Sequence, residues 1–139
     1  MKHFVKNYIL YIAFAQALIA MLGSLYFSEI RHFTPCVLCW YQRICMYPLV
    51  AIIAVGILRK DKKIFQYVFP LSILGFFIAL YHVLLQSGVL PESLAPCTAG
   101  VSCTVKYHPY FGFITIPIMS LTAFSVINVC MVLYRKFIK

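Results

Sequence analysis

The sequence predicts an all-α integral membrane protein: a bundle of four transmembrane helices with both termini cytoplasmic and two outer loops that carry cysteines. Three observations predict it. Of the 139 residues, 63% are hydrophobic and only 11% charged, against roughly 25% charged in soluble domains, and the mean hydropathy is +0.92. The apolar residues fall into four runs, each long enough at 1.5 Å per residue for a hydrocarbon core of about 30 Å. Of the 12 Lys and Arg residues, 9 cluster at the ends of those runs, a pattern that reports membrane topology.

The first run, Tyr8 to Phe27, exceeds the apolar core of about 7 to 15 residues found in a cleavable signal and leads into Ser24-Leu25-Tyr26-Phe27, so it reads as a retained span. The stretch 28–39 forms the first outer loop, and the second run is Trp40 to Leu58. The basic turn Arg59-Lys60-Asp61-Lys62-Lys63 leads to the third, Tyr67 to Gln86. The polar stretch 87–112 forms the second outer loop, and the last run is Phe113 to Leu133. These spans use nearly all of residues 1–139 as one membrane domain and leave no room for a soluble one. Pro48, Pro70 and Pro117 are expected as kinks that a bundle tolerates.

Lys2, Lys6, Arg59, Lys60, Lys62, Lys63, Arg135, Lys136 and Lys139 fall on one side, leaving Arg31, Arg43 and Lys106 for the other. The positive-inside rule makes the first side cytoplasmic. Tyr8, Tyr67 and Tyr134 then mark the inner interface and Trp40, Tyr41, Tyr107 and Tyr110 the outer one, as aromatic belts do. Despite a net charge of +9, the basic residues follow no single face or groove, which argues against nucleic acid as a partner.

Of the 6 cysteines, this orientation places Cys36, Cys39, Cys97 and Cys103 outside, where disulfides persist. Cys45 and Cys130 lie within spans at different depths and read as small buried apolar residues. Cys36-Val37-Leu38-Cys39 is a CxxC motif at the outer mouth of the second span. Thr34-Pro35 reads as a helix cap followed by proline at the first position, which puts Cys36 in the first turn, where the helix dipole favours the reactive thiolate. Spacing alone also admits a static disulfide or a metal half-site. Cys97 and Cys103 bracket Thr98-Ala99-Gly100-Val101-Ser102, a loop able to close a disulfide, either catalytic or a simple staple.

Arg43 follows Cys39 by four residues and Cys36 by seven, so all three share one helical face. An arginine about one turn into a bilayer is costly and usually functional: it can stabilise a thiolate or hold a quinone carbonyl, unless it merely snorkels to the headgroups. Gln42 is expected to point elsewhere. His82, near the outer end of the third span, can bond a quinone oxygen, pass a proton or serve only to bond a neighbouring helix.

Cys36-Val37-Leu38-Cys39-Trp40-Tyr41-Gln42-Arg43, at the mouth of the second of four spans and followed by a second outer cysteine pair, resembles the DsbB family of disulfide-forming membrane proteins. The chain is especially similar to the short BdbC type of Gram-positive bacteria, with Gly112-Phe113-Ile114-Thr115-Ile116-Pro117 a further point of likeness. The resemblance implies that Cys36 and Cys39 are reoxidised by a quinone, menaquinone or ubiquinone, held by Arg43 and, more loosely, His82. It implies that Cys97 and Cys103 meet a DsbA-like or BdbD-like thioredoxin-fold oxidase outside the cell membrane, and it implies no metal. Here the second pair is much closer together than in the best-known members. A DsbA-like potential lies near about −120 mV, beyond the reach of glutathione, so a respiratory, lipid-soluble oxidant is expected. Two rivals remain: a membrane protein whose cysteine pairs ligate a soft cation, and a non-catalytic subunit whose disulfides are structural.

Overall fold

The computed structural model describes residues 1–32, 34–91, 93 and 114–139. Helix α1 spans Lys2–Leu25 and passes into a π-helical turn, Tyr26–Ile30; α2 spans Val37–Arg59, α3 Ile64–Gln86 and α4 Ile116–Ile138. All four helices are long and apolar enough to cross a membrane, and no strand occurs among the described residues. They outrun the apolar stretches at their basic ends, because helical hydrogen bonding continues into the interface while the Lys and Arg heads remain solvated. Pro48 and Pro70 lie within α2 and α3. Pro117 instead opens α4, behind Thr115 at the cap, where its missing N–H and fixed φ suit a helix start.

Each helix packs on two others, α1 against α2 and α4, and α3 against α2 and α4. Three contacts fix which ends meet. Lys6 Nζ lies 5.4 Å from the Tyr134 ring centroid, the Tyr134 hydroxyl donates to the Asp61 carbonyl at 3.3 Å, and Arg135 sits 5.0 Å over the Phe65 ring. The start of α1, the α2–α3 turn and the end of α4 therefore share one pole, which gathers the basic clusters. The turn closes locally: Lys60 adopts φ 53°, Asp61 N–H returns to the Gly56 carbonyl at 3.0 Å, and Asp61 Oδ1 accepts the Lys63 N–H at 2.8 Å. These bonds cap the end of α2 and the turn after it.

Small residues let the helices approach. Ala13, Ala17 and Ala79 are fully buried. A Cβ on Gly56 would run into the Ile64 side chain, and one on Gly75 into the Phe124 ring. Close backbone approach of this kind drives association where lipid removes the hydrophobic incentive. Ile44, Val55, Leu74, Phe77 and Val129 are exposed on the outside, the distribution expected of a surface solvated by lipid. Cys45 and Cys130 are buried in the apolar core, and neither forms a disulfide.

Candidate active site

The pole opposite the basic clusters holds the site. Cys36 itself caps α2: its backbone is extended (φ −79°, ψ 175°) and its sulfur accepts the Cys39 N–H at 3.4 Å. The cap expected at Thr34 thus lies two residues later, because a cysteine sulfur can take the orphan amide that a hydroxyl usually takes. The two sulfurs are 3.1 Å apart and share a hydrogen bond; both thiols are free, Cys36 buried and Cys39 half-buried.

His82 arrives from α3, 46 positions away in sequence, with Nε2 3.7 Å from Cys36 Sγ. Its other nitrogen, Nδ1, lies 3.0 Å from Gln42 Nε2. His82 and Gln42 are 1% and 5% exposed, so their contact replaces hydration both have lost. Gln42 therefore does not point away, as the sequence reading expected. It follows Cys39 by three residues, a spacing that shares a helical face, and that was the available signal.

The hydrogen bond with Cys39 is the largest influence holding the Cys36 thiol down to about 4, aided by the His82 bond and charge and opposed by burial. Arg43 is half-buried. Its Nη2 donates to the Ser24 carbonyl at 3.0 Å and its Cζ sits 5.2 Å over the Trp40 ring, so the guanidinium is tied to the end of α1. Tyr47 adds a 3.5 Å bond to the Ser24 hydroxyl. Nothing in the composition of α1 singled out Ser24, whose contact with Arg43 is made by its backbone carbonyl.

Cys36, Cys39, Gln42, Arg43 and His82 all line one cavity of about 260 Å³. Ile19, Phe27, Met46 and Ile116 supply apolar wall. The donor atoms of Cys36, Cys39 and His82 lie within 4.8 Å of one another, close enough for one cation. Cys97 and Cys103 lie outside the described residues.

Four membrane-spanning helices with a dithiol, an imidazole and a guanidinium around one cavity define a membrane thiol-disulfide protein. Comparison carries this further. The family model described as disulfide bond formation protein DsbB matches residues 6–134. The chain is 50% identical over 126 residues, 91% of each chain, to disulfide bond formation protein C of Bacillus subtilis. It is 50% identical to the probable disulfide formation protein C of Halalkalibacterium halodurans over 84% of this chain and 85% of the relative, and 44% identical to probable disulfide formation protein C 1 of Bacillus anthracis over 90% of each. No solved structure matches. The chain belongs to the DsbB family and is a multi-pass membrane disulfide oxidoreductase.

Proposed function

We propose that this protein reoxidises an extracytoplasmic DsbA-like or BdbD-like thioredoxin-fold oxidase and passes the electrons to a membrane quinone, sustaining disulfide formation in exported proteins. The observation that carries the reading is a free CxxC dithiol and a buried imidazole opening on one largely apolar cavity. The pole with the basic clusters is cytoplasmic by the positive-inside rule, which places the cysteines outside.

In the first step a partner thiolate attacks the Cys97–Cys103 disulfide. Its S–S bond breaks, the partner's second thiol resolves the mixed disulfide, and the loop pair is left with two electrons and two protons. A loop thiolate then attacks the oxidised Cys36–Cys39 pair; closure of the loop disulfide leaves Cys36 and Cys39 as a dithiol. His82 Nε2 is placed to take and return the Cys36 proton.

The cavity fits a quinone head group: Arg43 and His82 offer N–H donors within apolar walls, and its volume approaches the lower end of the 300 to 1,000 Å³ of ligand sites. When bound, the quinone supplies a two-electron, two-proton acceptor soluble in the bilayer. Arg43 and His82 would hold it, and Cys39, one turn from Arg43, is the sulfur assigned to deliver the electrons.

The test is purified protein in detergent with a reduced thioredoxin-fold oxidase and a short-chain quinone, followed by quinone absorbance. Quinone loss abolished in both Cys36→Ser and Cys97→Ser is expected. Failure to consume quinone with any dithiol donor would overturn the reading.

A further inference from the structure

We propose that the reduced Cys36–Cys39 pair and His82 form a binding site for one soft or borderline divalent cation of the Zn²⁺ or Cd²⁺ type, which traps the pair in its reduced state. This inference stands on the geometry alone and does not depend on the quinone reading.

Two sulfurs and one imidazole nitrogen are the donor set such cations select. Bonds of about 2.3 Å to sulfur and 2.0 Å to nitrogen, arranged tetrahedrally, separate two sulfurs by roughly 3.8 Å and a sulfur from a nitrogen by roughly 3.5 Å. The 3.7 Å between Cys36 Sγ and His82 Nε2 already meets that requirement. The sulfurs, at 3.1 Å, need to part by well under an ångström, a small rotation of Cys39 at the first turn of α2.

A second observation points the same way. Histidines that ligate metals almost always donate their other ring N–H to a partner, which fixes the ring. The Gln42 amide lies 3.0 Å from His82 Nδ1 and, turned so that its oxygen accepts the Nδ1–H, leaves the lone pair of Nε2, 3.7 Å from Cys36 Sγ, for the metal. Two thiolates cancel a divalent charge, so the cation and its two sulfurs together add no net charge to a pocket that Arg43 also lines. The fourth position opens on the cavity, which leaves space for water or an anion. Oxidation removes both thiolates and with them the site. Metal binding and disulfide exchange at this pair therefore exclude each other, and the cation acts only on the reduced protein.

Full-length protein in detergent, carrying Cys97→Ser and Cys103→Ser to silence the loop pair, is titrated with Cd²⁺ while sulfur-to-metal charge-transfer absorption is followed in the ultraviolet. One equivalent should bind to the reduced chain and none once the Cys36–Cys39 pair is oxidised. His82→Ala should raise the dissociation constant at least about 10-fold, whereas Cys45→Ser/Cys130→Ser should leave it unchanged. X-ray absorption on the zinc-loaded protein, which needs no change at His82, should count two sulfurs and one imidazole. Equal binding by oxidised protein, equal affinity in His82→Ala, or a shell without imidazole would each overturn the proposal. Neither quinone nor thiol partner enters the measurement, so its outcome is separate from that of the oxidase assay.

Discussion

Gln42 on α2 and His82 on α3 meet at 3.0 Å between Nε2 and Nδ1, buried, with the far side of the imidazole facing Cys36 Sγ at 3.7 Å. The Gln42 amide can donate to Nδ1 through its nitrogen or, turned over, accept from it through its oxygen, so it holds the ring whether Nε2 carries its proton or has given it up. Gln42 thus acts on the dithiol through His82 and is a positioning residue.

Replacing Gln42 by leucine removes the 3.0 Å hydrogen bond to the buried imidazole, at a cost of about 0.5–1.5 kcal/mol. Thermal unfolding in detergent should register that loss. The same variant should slow Cys36 alkylation at mildly acid pH, a readout that a purely structural role would not move.

With its ionisation held down to about 4, Cys36 is a thiolate above that pH and a thiol below it. Iodoacetamide labelling of Cys36 in the reduced protein should therefore stay nearly constant between about pH 8 and pH 5, whereas an ordinary thiol, with a pKa of about 8.5, loses reactivity across that range. Cys39→Ala and His82→Ala remove the two stabilising contacts and should each move the inflection upward. An inflection near that of a free cysteine in the unaltered protein would refute the assignment.

Arg43 joins α2 to the end of α1 through the Ser24 carbonyl while lining the cavity. Arg43→Ala removes a hydrogen bond from a charged donor, worth about 1.5–3 kcal/mol. It should raise the apparent Michaelis constant for quinone more than it lowers turnover at saturation. Steady-state kinetics with varied short-chain quinone will separate the two effects, and an unchanged constant would remove Arg43 from the site.

Gly75 faces Phe124 so closely that any Cβ must displace the ring. Gly75→Ala should destabilise the bundle by about 1–3 kcal/mol through overpacking, seen as a lower melting temperature in detergent. Gly75→Ala/Phe124→Leu should recover part of the loss, because the shorter side chain vacates the volume the methyl group needs.

Sequence alone determined the four helices and the pole at which the basic residues collect. Both follow from physics that acts locally: lipid admits only helices whose apolar length matches the bilayer, and charge gathers at their ends. The register linking Cys36, Cys39 and Arg43 was equally legible, since helical spacing is set within one element. Tertiary structure alone decided that His82 stands beside Cys36, that Gln42 turns inward to hold it, and that a carbonyl of α1 receives Arg43. The apolar residues of α2 and α3 are spread around each helix rather than gathered on one face, so no apolar stripe announces which face packs inward. That choice falls to small residues such as Gly56 and Gly75, whose close contacts set how the helices rotate against one another and thereby which polar side chains meet.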